Sequence, residues 1–407
     1  MRIRYWHVAL GVFFLGWVFM YADRTVLSPV LGSIGQEWDL NRQQLGLISS
    51  LFFLAYAALQ LPTGWLADRF GRKILLVPGY LLFGVTTVLS AFAPSYGVFL
   101  FLAVLTGLGE GTYYPTQFSL SSQVIPRRFR GLGSAIINSG QAFGISLGFI
   151  VSAFVAFNLN AGWRASFGVL GALTVIAGLV LLFTIREHPE GMPSPARPAT
   201  GAPETASETA GGAKLFSRDL VLVYIAGFCS LYGFFVILTW LPYYLHTVRH
   251  EPNSVTGIVS SLVPWASIPG ALLVSYLSDR MRHRRLFSLV MLPVAALAIF
   301  FIPIAQTRVE LFGALILYGL IGKLALDPIL VAYVADRVPV SAYSRAYAIL
   351  NFAGMSSSIL APFITGFLAD RSGSLNAGFY LATALLLVGT LCMAFTQPEH
   401  RSKPAVA

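Results

Sequence analysis

Gly64-Trp65-Leu66-Ala67-Asp68-Arg69-Phe70-Gly71-Arg72-Lys73 is the stretch that decides the fold. It lies between two long apolar segments and puts an acid and then a base at the end of the first, with further bases following. A related stretch, Ser278-Asp279-Arg280-Met281-Arg282-His283-Arg284-Arg285, stands at the corresponding place in the second half of the chain. The usual excess of positive charge beside a membrane accounts for the Arg and Lys residues. It does not account for Asp68 and Asp279, nor for Gly64 and Gly71 at their spacing. Gly71 suits a tight turn and Gly64 a close approach of helices. One such loop in each half indicates a duplicated unit.

The surrounding composition points to lipid. Of the 407 residues, 56% are hydrophobic and 11% charged, where a soluble domain averages about 25% charged. In water so apolar a surface would aggregate. The formal net charge of +10 is scattered in short clusters between apolar runs, which argues against a nucleic-acid partner. Cys229 and Cys392 both fall in apolar segments, without metal-ligand spacing, and read as buried, inert thiols. Arg2 and Arg4 precede an apolar run too long for a cleaved signal, so no cleavable leader is expected.

Twelve apolar segments follow one another, six between residues 7 and 185 and six between residues 220 and 396. Between the sets lie Pro189, Pro193, Pro195, Pro198 and Pro203 among Ala, Gly, Thr and Glu, a composition that cannot bury a core and reads as a flexible linker. The expected organisation is a six-helix unit over 1–186, a cytoplasmic linker over 187–216 and a second six-helix unit over 217–407. With the N-terminus inside, twenty of the 27 Lys and Arg residues fall in the cytoplasmic segments, five in the outer loops and two within apolar segments. That bias places both termini in the cytoplasm.

With this layout, the Gly64–Lys73 run resembles the signature loop of the major facilitator superfamily, and the resemblance covers the whole chain. It implies an all-α membrane protein, with twelve transmembrane helices in two pseudo-symmetric six-helix bundles. It also implies a conformational latch of Asp68, Arg69 and Arg72, and more weakly Asp279 and Arg280, that stabilises the outward-open state. A functional monomer in the bacterial cytoplasmic membrane is the expected form.

Five ionisable residues lie inside apolar segments: Asp23, Arg24, Glu110, Lys323 and Asp327. Each costs about 2.5–3.5 kcal/mol at mid-membrane on insertion scales, so each is a functional candidate. Asp23 and Arg24 are neighbours and point about 100° apart on a helix, so they need not pair. Glu110 sits among Gly107, Gly109 and Gly111, which let helices or a substrate come close. A lone carboxyl in such surroundings can exchange a proton near neutral pH; the alternative is a structural ion pair with Arg24. Lys323 and Asp327 share a helix face at i,i+4. They either neutralise each other, or Lys323 binds a substrate carboxylate and Asp327 modulates it.

Three further motifs narrow the resemblance. Tyr21-Ala22-Asp23-Arg24, Gly107-Leu108-Gly109-Glu110 and Ser139-Gly140-Gln141, with Trp240-Leu241-Pro242-Tyr243-Tyr244-Leu245, resemble the anion:cation symporter branch. That branch holds proton-coupled carriers of sugar acids, aromatic acids and related organic anions, and the sialic-acid exporter of lysosomes. The resemblance implies Asp23 and Glu110 as proton sites, Arg24 as the charge linking Asp23 to the substrate, and Gln141 as a substrate contact. Where many members have an Arg seven residues before the Glu, this chain has Ala103; Lys323 could compensate. Among the aromatic residues near the expected cavity, Tyr21, Tyr113 and Tyr243 are the substrate-contact candidates. Gly140, Gly144 and Gly148 form a close-packing stripe. Gly144 is followed by Ile145, not by the Pro usual in drug/proton antiporters. Pro115, Pro242, Pro264 and Pro328 could supply bends.

The expected function is proton-coupled symport of a small organic anion by alternating access, with no cofactor and no metal. Proton-driven export of a drug or metabolite is the alternative within transport, and a solute sensor the alternative outside it. An enzyme is not expected, since no nucleophile–base or metal-ligand motif stands out, nor is direct ATP drive, since no phosphate-binding loop of the Walker type is present.

Overall fold

The computed structural model describes residues 5–126, 129–187, 215–281, 283–339 and 342–397. The expected linker lies outside the described residues except at its two ends, and for Asp68 and Asp279 the backbone alone is described. Every regular element among the described residues is helical. In the first half these are α1 (Tyr5–Thr25), α2 (Leu27–Trp38), α3 (Arg42–Phe70), α4 (Arg72–Ser90), α5 (Tyr96–Gly111), α6 (Tyr113–Val124), α7 (Arg130–Ala153) and α8 (Gly162–Thr184). The second half contributes α9 (Arg218–Thr247), α10 (Asn253–Met281), α11 (Arg284–Ile304), α12 (Arg308–Ile321), α13 (Lys323–Ala335), α14 (Tyr343–Ser372) and α15 (Asn376–Ala394).

Eleven helical spans among the described residues are long and apolar enough to cross a membrane. The remaining expected segment, 44–67, falls within α3, whose 29 residues extend roughly 43 Å at 1.5 Å per residue. Large apolar side chains such as Phe92, Phe183, Leu272 and Val309 are exposed, as befits a surface solvated by lipid.

Three spans are interrupted, and each interruption falls beside a charge. The first breaks at Val26, between α1 and α2, two residues after Arg24. The fourth breaks at Thr112, between α5 and α6, two residues after Glu110. The tenth breaks at Gly322, immediately before Lys323. Pro29 and Pro115 each stand third in the helix after the break. There the missing N–H would have met a carbonyl four residues back, so the chain restarts a helix whose first turn tolerates proline. At Gly322 the backbone is extended, with ψ −160°, and a Cβ there would collide with the Tyr318 carbonyl. Of the bends expected at proline, Pro242 and Pro328 lie inside continuous helices.

Gly71 joins α3 to α4 with φ 99°, the left-handed region in which glycine carries no Cβ penalty, as its turn requires. Gly64 differs from expectation: among the described residues, nothing lies within 4 Å of a Cβ built there. The helix ends are capped by local chemistry. Asn41 with Gln44 boxes the start of α3, and Thr307 with Glu310 the start of α12.

Grouped by contact, the described residues form two units. The first takes those within Met1–Thr200, Val236–Trp265 and Ser358–Gly378. Its core joins Phe13, Trp17 and Met20 of α1 to Tyr80 and Phe83 of α4, Tyr113 of α6 and Leu181 of α8. Within this unit α14 abuts the start of α3. The Asp370 carboxylate accepts the N–H groups of Arg42 at 3.1 Å and Gln43 at 2.8 Å, filling donors that a helix start leaves open. The second unit takes the residues within Gly201–Phe235, Ala266–Ser357 and Phe379–Ala407. There Arg284 pairs with Asp336 at 2.7 Å, and Arg285 donates to the Ala394 carbonyl at the end of α15, 2.7 Å away.

Candidate functional site

The glycine stripe of α7 sets the position of the first charges. A Cβ at Gly140 would lie 2.9 Å from the Phe14 carbonyl oxygen, one at Gly144 would strike the Val18 carbonyl, and one at Gly148 the Ala22 carbonyl. Helix α7 thus lies flat on α1 up to the turn that carries Asp23 and Arg24. Glycines also bring in Glu110. Gly107 and Gly111 of α5 face the Phe52 and Tyr56 carbonyls of α3, and Gly109 would meet the Gly79 carbonyl of α4 at 2.7 Å. Close approach on both sides seals Glu110 inside the first unit.

Arg24 Nε donates to Glu110 Oε2, and the two side chains are 4% and 0% exposed. The Arg24 guanidinium carbon also lies 4.5 Å from the centre of the Tyr56 ring, 4.8 Å from Tyr21 and 5.8 Å from Phe53. One acid and three ring faces therefore hold the cation in place of water. Asp23, 5% exposed, accepts a hydrogen bond on Oδ2 from Thr87 of α4 at 2.9 Å. Asp23 Oδ1, Arg24 Nη2 and Glu110 Oε1 are buried and find no partner among the described residues. Buried polar atoms left unmatched are uncommon in a structure held only for stability. The cluster holds two acids and one base, so one acid has no counter-charge. A cavity of about 50 Å³ adjoins Asp23 and Arg24.

In the second unit Lys323 opens α13, with Nζ 2.8 Å from Asp327 Oδ2 and 5.2 Å from the centre of the Phe234 ring. This pair is wetter than the first, with side chains 12% and 36% exposed. The i,i+4 pairing is thereby formed.

The other expected residues are dispersed. Tyr21 joins the cluster through its ring. Tyr113 is fully buried in the core, its hydroxyl donating to the Phe13 carbonyl at 3.2 Å. Gln141 is half-buried on α7. Tyr243 lines a separate cavity of about 310 Å³ with Gln36, Asp39 and His246. Of the latch residues, Arg69 is exposed, its guanidinium 5.5 Å from the ring centres of Trp65 and Phe70, and Arg280 reaches the Tyr276 hydroxyl at 3.5 Å.

Several partners carry no signal in the sequence. Thr87, Tyr56 and Phe53 are ordinary residues of apolar helices until the fold sets them around Asp23 and Arg24. Glu187 stands at the start of the expected linker, yet its carboxylate accepts the N–H groups of Arg72 at 2.7 Å and Lys73 at 2.5 Å. It caps the helix that follows the signature loop, where negative charge is favoured.

Among the described residues, helices long and apolar enough to cross a membrane enclose a buried charge cluster, the make-up of a multi-pass membrane protein, and comparison with known proteins gives the family. Residues 13–323 and 252–407 match the Major Facilitator Superfamily, and the chain belongs to that family of transporters, which are not enzymes. It is similar to the "Probable sulfoacetate transporter SauU" of Cupriavidus necator, at 31% identity over 98% of this chain and 95% of that one. It is also similar to the 3-(3-hydroxy-phenyl)propionate transporter of Escherichia coli, at 25% identity over 98% and 96%. Among solved structures a D-xylose-proton symporter shares the fold, with TM-score 0.82 at 17% identity over 98% of this chain and 100% of that one. The chain is a multi-pass membrane protein.

Proposed function

We propose that the protein is a proton-coupled symporter of a small organic anion. One observation carries the coupling: two acids and one base share a sealed cluster, so the cluster is neutral only when a further positive charge is present. A proton on Asp23 or Glu110 supplies it. Leaving a net charge in so dry a place is costly, which ties loading of the proton to the state of the site.

The anionic substrate is supported by the names of the relatives, one for sulfoacetate and one for an aryl propionate. In this reading Lys323 takes the substrate's acidic group, displacing Asp327, because that pair is the wetter of the two. Gln141, Tyr21 and Tyr243 are further contacts, and Arg24 conveys the protonation of Asp23 and Glu110 to the substrate. The halves 1–186 and 217–407 rock about the site, with both termini on the cytoplasmic side of the bacterial inner membrane. Asp68, Arg69 and Arg72, with Asp279 and Arg280, latch the cycle, and the working form is a monomer.

Reconstituted protein tests this with labelled sulfoacetate and 3-(3-hydroxyphenyl)propionate under imposed pH gradients. Accumulation that requires a more acidic exterior is the expected result. Accumulation under the reverse gradient would make the protein an antiporter, and saturable binding with no flux under either gradient would make it a sensor.

A further inference from the structure

Tyr318 stands in the last turn of α12, and its ring folds over the break that follows. A Cβ at Gly322 would lie 3.0 Å from Tyr318 Cε2 and 3.1 Å from Cζ, and the Gly322 N–H donates to the Tyr318 carbonyl at 2.7 Å. The residue is 2% exposed. Its hydroxyl is buried and, among the described residues, meets no hydrogen-bond partner. A Cβ built on Gly233 of α9 would lie 3.7 Å from that hydroxyl, and 3.0 and 3.3 Å from the side-chain methyls of Ile299 and Leu386. The oxygen therefore sits among apolar groups. Phenylalanine would fill the same space without stranding a polar atom, and stranding one costs stability. A hydroxyl kept in such a place calls for a role in another state of the protein.

The charged pair of the second unit is its neighbour. The Asp327 carboxylate lies within electrostatic reach of the Tyr318 phenol. Phe234, next to Gly233 on α9, has the Lys323 ammonium 5.2 Å from its ring centre. Lys323 Nζ holds Asp327 Oδ2 at 2.8 Å. In the uptake step proposed above, Lys323 gives up that contact for the substrate's acidic group. Asp327 then loses its counter-charge, and opening one side of a pair in so dry a place is costly. The Asp327 side chain is 36% exposed, so water takes part of the load. The Tyr318 hydroxyl can take the rest. A phenol O–H donated to a carboxylate makes a short, charge-assisted hydrogen bond, and the same bond satisfies the stranded hydroxyl.

We propose that Tyr318 is a positioning residue of the substrate site. Its hydroxyl donates to the Asp327 carboxylate when Lys323 turns to the substrate, so that one hydrogen bond forms as one ion pair opens. The proposal rests on the reading of Lys323 as the partner of the substrate's acidic group.

Lys323→Ala reproduces the opened pair without any substrate, because it leaves Asp327 with no ammonium. Melting of the purified full-length protein therefore tests the exchange. Tyr318→Phe is expected to cause no loss of melting temperature while Lys323 is present. In the Lys323→Ala background it is expected to cause a loss of about 2 °C or more. In the Lys323→Ala/Asp327→Ala background, where the carboxylate is gone, the loss is expected to vanish. A ring that only fills space would give the same shift in all three. In proteoliposomes, Tyr318→Phe is expected to raise the concentration of labelled sulfoacetate or 3-(3-hydroxyphenyl)propionate for half-maximal uptake about tenfold, the worth of one hydrogen bond to a charged group. Equal melting shifts in the three backgrounds, or an unchanged half-maximal concentration in Tyr318→Phe, overturn the proposal. Weakened uptake in Lys323→Ala together with equal melting shifts strikes Tyr318 alone, whereas wild-type affinity in Lys323→Ala strikes the reading on which it rests.

Discussion

At the scale of single residues, the account turns on how Arg24 is held. Its cation has left water for one carboxylate and three ring faces. Removing one partner of such a pair strands the other, at a cost of about 3–5 kcal/mol. Glu110→Ala is therefore expected to lower the thermal stability of the purified protein by that order, and Glu110→Gln, which keeps a hydrogen-bond acceptor for Arg24, by much less. Comparing the two melting curves in one detergent checks it; equal losses would assign the role of Glu110 to its charge alone. Lys323→Ala answers a different question, because Lys323 is wetter and its partner Asp327 wetter still. Its expected effect is a tenfold or greater rise in the substrate concentration for half-maximal uptake, about 1.4 kcal/mol, with little change in melting temperature. Unchanged affinity would remove Lys323 from the substrate site. The five charges were legible in the sequence because lipid excludes charge. Of their pairing, i,i+4 spacing joined Lys323 to Asp327, while the ion pair of Glu110 with Arg24 stood as one of two readings; those residues are 86 positions apart, and only tertiary packing decides that they meet. The same holds for Thr87 and Tyr56, whose types are unremarkable in an apolar helix.

At the scale of elements, glycine decides which helices meet. The stripe Gly140, Gly144, Gly148 could be read from the sequence as a packing face, but its partner α1 could not. The glycines around Glu110 admitted two readings, helix or substrate approach, and the structure gives helices, α3 on one side and α4 on the other. Gly64 was legible as part of a signature, but among the described residues nothing lies within 4 Å of a Cβ there, and spacing alone does not say what faces a position. Gly144→Leu and Gly64→Ala make the contrast measurable. The first drives a side chain into the Val18 carbonyl and is expected to cost about 1–3 kcal/mol or more, with loss of folded protein on size exclusion. The second meets nothing within 4 Å among the described residues and is expected to leave the melting temperature within a degree or two of wild type, a change of about 0.5 kcal/mol or less. The helix breaks at Val26 and Thr112 follow from Pro29 and Pro115 three residues later, a signal present in the sequence. The break at Gly322 stands where a Cβ would meet the Tyr318 carbonyl, a contact that no sequence pattern announces.

At the scale of the whole molecule, the duplicated loops and the run of apolar segments made the family legible from the sequence. The capping contacts were not. Glu187 closes the start of α4 and Asp370 the start of α3, each from far along the chain, and both residues look like solvent-facing acids in a linear reading. What the molecule does with its buried charges is the central claim, and movement of protons with the anion tests it most directly. Proteoliposomes loaded with a pH-sensitive dye, given sulfoacetate or 3-(3-hydroxyphenyl)propionate outside without any imposed gradient, report that movement. The account predicts acidification of the lumen that begins with substrate addition, saturates with it, and is absent in Glu110→Gln protein that still exchanges labelled substrate across the membrane. Substrate entry with no change in luminal pH, or with alkalinisation, would contradict it.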